Sequence, residues 1–324
     1  YFKTVSRKMT GYGLSAVCLS ISIYSVEETP TIIHDTGILE IIFCLKGSIR
    51  FSYAYEEFTL NEGDFISVDK DAYYLYDGRE NLCVSFYFDL IRYSDIYPFI
   101  PNVLFICEGV PETFEQYPFG KHRQLKGMLL SLLKLILNGN SNYTKGPREE
   151  VIDLATKKII DFFVRHFSFT AFHAGYTNEI NENDIYRMQL ITNYIFTHLN
   201  EKISLSHLAE KLNFTENYMS EYLCKYSIGF RNIISYFRAN ASEHLLLKTD
   251  KTLLEISEEC GFSDVKYYYA AFRKWYKCSP KQFRKKYREA QGKRINYLSP
   301  SSATALLDDL LIKYCIDTFL LNEA

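Results

Sequence analysis

His34 and Glu40, an imidazole and a carboxylate six residues apart, are residue types that ligate metals or bind small polar molecules. One imidazole and one carboxylate fall short of the three or four ligands that a metal site requires. Eight cysteines (Cys18, Cys44, Cys83, Cys107, Cys224, Cys260, Cys278 and Cys315) include no C-x-x-C pair. Most lie in apolar runs, where cysteine packs as a small hydrophobe. This argues against a zinc site or a disulfide framework and for a reducing, cytoplasmic setting. No G-x-S-x-G, P-loop or dinucleotide-binding glycine pattern occurs, so no catalytic residue, metal or cofactor is expected. A different chemistry gathers near the other end. Lys266–Arg294 carries eleven Lys and Arg residues, Lys281 and Arg284 among them, a density suited to an anionic polymer.

The composition sets the frame for these groups. The chain has 324 residues, 47% apolar, 16% aromatic and 23% charged, with a formal net charge of −2. That is globular composition with room for two or three cores, and it excludes disorder and fibrous repeats. The charge is uneven: residues 183–294 hold 19 Lys/Arg against 12 Asp/Glu, while the remainder holds 18 against 27. One end alone therefore suits an anionic partner. No window reaches ~18 uninterrupted apolar residues, and the N-terminus lacks a basic flank followed by an apolar core, so no membrane association is expected. A first residue of Tyr1 rather than Met reads as a piece of a longer protein.

The elements that must position these residues follow from periodicity. From Leu14 to about Asp89, short runs of Val, Ile, Phe and Tyr are punctuated by turn signals at Lys46–Ser48, Asn61–Asp64 and Asp77–Gly78. Ile49–Tyr55 alternates, whereas Leu39–Leu45 runs apolar like an interior strand, and the set reads as a barrel or sandwich. Two helical stripes follow, Leu125–Ile136 and Ile152–His166. A polar stretch, Gly175–Asn183, reads as the interdomain linker. Beyond it a helical unit occurs twice. Leu205–Leu212, a turn at Asn213–Phe214 and a helix capped by Thr215 form the first copy. Leu253–Cys260, a turn at Gly261–Phe262 and a helix capped by Ser263 form the second.

Within the second copy, Ile256–Asp264 reads ISEECGFSD and is followed by Tyr267, Phe272, Arg273, Lys274, Ser279, Pro280, Phe283 and Arg284. Upstream stand Leu208, Ala209, Tyr218, Ser220, Gly229, Phe230, Tyr236 and Arg238. Over Tyr194–Tyr287 this pattern resembles the DNA-binding domain of the AraC/XylS transcription-regulator family. Ser257 and Ser242 stand where the family usually has alanines, Tyr268 where it has phenylalanine and Cys278 where it has glycine. The resemblance places groove contacts at Asn217, Ser220 and Glu221 on the first recognition helix, and at Val265, Lys266, Tyr269 and Ala270 on the second. Helical spacing assigns Tyr218, Met219, Tyr222 and Leu223 to one core, and Tyr267, Tyr268, Ala271 and Phe272 to the other. Lys225 and Arg273 then face outward and join Lys281 and Arg284 as phosphate contacts. Asn217 suits adenine, Lys266 guanine and Glu221 the amino group of cytosine. The helix Arg231–Lys248 would separate the two readers so that grooves about 34 Å apart are read on one face of the duplex.

With lower specificity the resemblance extends to a cupin-like barrel, carried by His34, Glu40–Gly47, Gly63, Asp64 and Val84–Phe88. Metal-binding cupins use H-x-H-x-x-x-E and a further histidine. Here Thr36 stands at the second histidine position and Tyr73 near the last, so the barrel reads as metal-free. His34, Glu40, Tyr53, Tyr73, Tyr74 and Tyr76 are its candidate ligand residues, suited to a sugar or another small polar metabolite.

The expected fold is thus α+β: a cupin-like barrel (1–118), a helical dimerisation pair (119–172), a linker (173–183), a tandem helix-turn-helix domain (184–292) and a helical extension (293–324). The expected function is a ligand-responsive, sequence-specific transcription regulator, an activator in some settings. Its partners would be double-stranded DNA, a small-molecule effector such as a carbohydrate, a second copy of the chain and, for activation, RNA polymerase. A cupin-type metalloenzyme and an interaction module without DNA binding are the alternatives.

Overall fold

The computed structural model describes residues 14–15, 19–34, 37–53, 56–68, 72–97, 100, 105–106, 121–137, 147–169, 182–226, 229–289, 291–299, 304 and 307–310. Its N-terminal half is a β-barrel sheet built from β1 (Leu14–Ser15), β2 (Leu19–Pro30), β3 (Ile38–Tyr53), β4 (Glu56–Asn61), β5 (Phe65–Val68) and β6 (Tyr73–Asp89). A two-residue pair, β7 (Phe105–Ile106) and β8 (Ser168–Phe169), lies apart. β6 runs between β2 and β3, antiparallel to both, and β4 and β5 pair with β3.

Alternation of side chains divides this sheet into two faces. Leu19, Ile21 and Ile23 of β2, Leu39, Ile41 and Phe43 of β3, and Val84, Phe86 and Phe88 of β6 form the outer face, buried under helices. Tyr24, Val26, Ile42, Cys44, Tyr73, Leu75 and Cys83 line the interior. Both faces of β3 are therefore covered, which explains its apolar run. Register shifts between Cys44 and Arg50 reverse the alternation, so Ile49 and Phe51 return inward on the far side of the bulge.

The helices on the outer face are α1 (Lys121–Leu137) and α2 (Pro147–His166). Pro147 opens α2 at a position where a missing N–H loses no helical bond. Lys121 Nζ lies 3.4 Å from His166 Nε2, so the start of one helix meets the end of the other and the pair is antiparallel. The stripes Leu125, Leu129, Leu132 and Leu133 and Ile152, Ile159 and Phe163 are buried within this chain, in one core with the sheet. The connector at 138–146 lies outside the described residues.

The C-terminal half is all-α: α3 (Glu182–Thr197), α4 (Leu205–Lys211), α5 (Glu216–Tyr226), α6 (Phe230–Lys248), α7 (Leu253–Glu259), α8 (Val265–Tyr276) and α9 (Pro280–Glu289). α3 begins inside the stretch read as a linker, the rest of which, to 181, lies outside the described residues. α4–α5 and α7–α8 are the two helix-turn-helix units, and α6 joins them. Met188, Ile191, Met219, Leu223, Ile233 and Phe237 of the first unit share the barrel–helix core. The second unit has a separate core of Leu246, Ile256, Tyr268, Phe272, Tyr276, Phe283 and Tyr287, into which Ile33 and Ala72 of the barrel are inserted.

One expectation is corrected at the C-terminal end. The segment assigned to a helical extension opens instead with a strand, β9 (Gln291–Tyr297), which pairs antiparallel with β2 from Tyr24 to Pro30 and completes the seven-stranded sheet. Backbone groups at an open sheet edge seek partners, and β2 supplies them. Of the amphipathic stretch Ala303–Leu321, the described residues 307–310 are helical; Leu307 and Leu310 are buried and Asp308 pairs with Lys134 of α1 at 2.8 Å. Among the described residues, no helix is long and apolar enough to cross a membrane.

Candidate nucleic-acid interface and barrel cluster

Each helix of the tandem units starts where a side chain satisfies the unpaired N–H groups of its first turn. Ser204 Oγ accepts from His207 N at 3.2 Å and Thr215 Oγ1 from Tyr218 N at 3.2 Å. Thr252 and Glu255 form a reciprocal box at the start of α7, with bonds of 2.7 and 3.2 Å. The cap of α8 is Asp264, which accepts from Lys266 N at 2.8 Å, rather than the expected Ser263. Its carboxylate is the stronger partner for the positive end of a helix.

The turns match as well. Asn213 (φ 58°) and Gly261 (φ 78°) hold equivalent left-handed positions one residue before Phe214 and Phe262. A Cβ on Gly261 would lie 2.3 Å from the carbonyl oxygen of Leu199, so only glycine lets the second turn sit against the end of α3.

These restraints leave the leading faces of α5 and α8 uncovered. Asn217, Ser220, Glu221, Lys225, Lys266, Ala270, Arg273 and Lys281 are exposed; Val265 and Tyr269 are half-buried. Met219, Tyr222 and Leu223, and Tyr268, Ala271 and Phe272, are buried as expected. Tyr218 and Tyr267 are not: they are 39% and 56% exposed. At about 100° per residue, each lies one step off the buried stripe, on the same side of its helix. Tyr218 stacks between Phe214 and Tyr222, and Arg187 lies over all three rings.

The basic residues divide into two groups. Arg284, expected on the phosphate backbone, instead donates from Nε to Leu246 O at 3.0 Å and from Nη2 to Lys251 O at 2.8 Å. Arg288 also donates to Leu246 O, at 3.1 Å, and to Asp250 at 2.8 Å. Both close the end of α6, where carbonyls lack helical partners. Lys286 reaches across to the barrel and pairs with Glu57 of β4 at 2.9 Å. Lys266, Arg273 and Lys281 remain on the surface.

Two departures from the family pattern meet in space. The Tyr268 hydroxyl, sealed from water, lies beside Ser242, and its pKa is pushed up by that burial while the Ser242 hydroxyl opposes the shift. Ser242 and Ser257 also return their hydroxyls to carbonyls of their own helices at 2.6 and 2.8 Å. The position after α8 where the chain turns left-handed is Lys277 (φ 54°), so Cys278 carries no such demand.

Inside the barrel, three of the six candidate ligand residues meet. His34 Nε2 and the Tyr73 hydroxyl each lie 2.6 Å from Glu40 Oε2, and all three residues are buried. Burial alone would raise the Glu40 carboxyl; the bond and charge of His34, then Ser85 and Tyr73, outweigh it and hold the carboxyl below its ordinary range. Its second oxygen, Oε1, has no hydrogen-bond partner. Three further residues belong here: Tyr87, opposite Glu40 in the register, Ser85, and Tyr24, whose hydroxyl lies 2.8 Å from Ser85 Oγ. Their shared parity with Glu40 across neighbouring strands was the available signal.

Tyr74 and Tyr76 have the opposite parity from Tyr73 and point outward. Tyr74 packs edge-on to Tyr287 of α9, and Tyr76 bonds Glu57 at 3.1 Å under Arg50. Neither reaches the interior. The side chain of Tyr53 lies outside the described residues. Among the described residues, no group of three or more His, Cys, Asp or Glu side chains is placed to hold a metal.

The geometry defines a class of protein: two capped helix-turn-helix units on a shared helix, mounted on a β-barrel whose largely apolar interior holds a buried polar cluster. A helix-turn-helix domain profile matches residues 208–286. An uncharacterized HTH-type transcriptional regulator of Staphylococcus aureus is 23% identical over 251 residues, 76% of this chain and 31% of that one. The melibiose operon regulatory protein of Escherichia coli is 24% identical over 43% of this chain and 49% of its own. Among solved structures, ToxT from Vibrio cholerae with an unsaturated fatty acid bound is 11% identical, covering 84% of this chain and 96% of that one with a TM-score of 0.41. Residues 208–286 thus form a helix-turn-helix domain, in line with the resemblance of this stretch to the AraC/XylS transcription regulators. The chain spans about a third of the length of the first curated relatives it matches.

Proposed function

We propose that this chain is a sequence-specific, DNA-binding transcription regulator whose barrel answers to a small polar molecule. One observation carries the reading: both recognition helices keep their leading residues uncovered, although each is packed tightly from behind. Asn217, Ser220 and Glu221 are offered by α5, and Val265, Lys266, Tyr269 and Ala270 by α8, for contact with base edges in successive grooves. Lys225, Arg273 and Lys281 supply phosphate contacts.

The effector belongs in the barrel at His34, Glu40 and Tyr73. An ionised carboxylate with an unpaired oxygen favours a ligand rich in hydrogen-bond donors, a polyol such as a sugar among them. Tyr24, Ser85 and Tyr87 would complete its shell. The regulator acts in the cytoplasm, as a homodimer on a two-part operator, and contacts RNA polymerase where it activates.

Selection from a pool of randomised duplexes with the purified chain tests the DNA half. Enrichment of one motif, in two boxes about 10 base pairs apart, is expected. A pool that stays random after several rounds removes the regulator reading.

A further inference from the structure

Glu243 lies on α6, between the two helix-turn-helix units, and is 1% exposed. Few carboxylates are buried so completely, and those that are hold bonds that compensate the loss of water. One oxygen of Glu243 accepts the backbone N–H of Ala72, which belongs to the barrel. The other accepts the hydroxyl of Tyr276, at the end of α8, at 2.6 Å. Asn240, one turn before it, donates to the same hydroxyl at 3.3 Å. A single side chain therefore ties the barrel backbone to the second recognition helix.

The barrel end of this tie is also the wall of the polar cluster. Ala72 immediately precedes Tyr73, whose phenol is bonded to Glu40. Tyr73 in turn exchanges both backbone bonds with Ile32, at 2.8 and 3.0 Å. Ile33, between that bridge and His34, enters the core of the second unit together with Ala72. On both segments one residue faces the Glu40 cluster and its neighbour faces the reader. Thr31 extends the seam, donating to Tyr287 O at 2.5 Å.

We infer that Glu243 is a positioning residue: it sets the orientation of α8 against the barrel and passes to that helix any movement of Tyr73. The role rests on the reading of α8 as the helix that meets DNA, yet its test needs no DNA, so the two fail separately. A shift at Tyr73 carries Ala72 with it because the two share a peptide bond. Ala72 in turn pulls on a carboxylate that is buried away from solvent.

The single tryptophan, Trp275, supplies the readout. It sits on α8 beside Tyr276, donates to Ser235 of α6 at 3.2 Å and packs edge-on to Tyr236. Tyr73→Phe removes the phenol–Glu40 bond inside the barrel. The expected result is a red shift of Trp275 emission and a rise in its quenching by acrylamide. In a Glu243→Leu background the same change should have no effect on Trp275; in a Glu243→Gln background, which keeps an acceptor for the Ala72 amide, the effect should return. Tyr97→Phe, which loses a bond to Asp161 elsewhere, should leave Trp275 unchanged. An unchanged Trp275 in the Tyr73 variant, or the same change in all backgrounds, overturns the inference. Hydrogen exchange on the single Tyr73→Phe protein guards against misfolded double variants. Faster exchange at Ala72 and along α8, with α5 unaffected, is expected, and loosening confined to the barrel overturns the inference.

Discussion

Arg238 and Arg284 are structural equivalents. Arg238 donates from Nε to Leu199 O at 2.9 Å and from Nη2 to Glu201 O at 2.7 Å, closing the segment after α3. Arg284 does the same for Leu246 and Lys251 after α6. Each unit is thus locked to the helix that precedes it by one guanidinium whose fork reaches two carbonyls, a geometry that lysine cannot reproduce.

Arg284→Ala should therefore act on stability. Charge-assisted bonds to carbonyls contribute roughly 1–3 kcal/mol net, so its melting temperature should drop clearly. Lys281→Ala, on the exposed face of the same helix, should leave melting unchanged and weaken binding to every duplex alike. An Arg284 variant with wild-type melting and uniformly weaker DNA binding would return Arg284 to the phosphate backbone.

Lys266 and Arg273 should separate by the kind of loss they cause. Lys266→Ala is expected to relax base preference at one operator position, at about 1–3 kcal/mol of discrimination. Arg273→Ala should lower affinity for all sequences and reduce the slope of log affinity against log salt by about 0.9. Binding isotherms at several salt concentrations, on the selected operator and its single-position variants, distinguish them. Identical behaviour would mean that α8 is docked on DNA differently.

Gly261→Ala combines a left-handed backbone with a 2.3 Å approach to Leu199 O. The conformation alone costs about 1–2 kcal/mol, and the contact adds to it because its partner is backbone. Asn213→Gly, at the matching turn, keeps the conformation and should change stability by less than about 1 kcal/mol. Urea denaturation of the two variants checks the contrast. Equal effects would show that the turns are not equivalent.

Glu40 predicts a pH dependence. Its carboxyl lies below the ordinary range in the folded chain, so the unfolded chain binds the proton more tightly. The associated stability is present above the unfolded value of about 4.3 and is lost as pH falls through the folded value. Glu40→Gln should be less stable than wild type at pH 7 and should lack this part of the acid dependence. Parallel stability–pH curves for the two proteins would place the titration elsewhere.

Much of this arrangement was legible in the sequence for physical reasons. A cap such as Thr215 acts locally, so the start of its helix could be read directly, while that of α8 was read one residue early at Ser263 instead of Asp264, and the turn at Gly261 marked itself. The barrel strands showed in their β-branched runs. Other features depend on distant partners. β9 has no strong alternation of its own and is a strand because β2, more than 260 residues earlier, lies beside it. A capping arginine and a phosphate-binding arginine look alike until carbonyls are found at the guanidinium, as for Arg284. Tyr74 and Tyr76 joined the barrel candidates by type, and only strand parity removes them. Tyr218 and Tyr267 sit at the edge of the apolar arc, where period alone does not fix burial.

The return of β9 to β2 makes the helical half an insertion within the barrel sheet rather than an appendage after it. A head fastened at one point can swivel and tolerate many separations between its binding boxes. One stitched at both ends has its bearing dictated by the body that carries it, so the permitted box spacings should form a short, discrete set. Cutting the chain between Glu289 and Gln291 should widen that set.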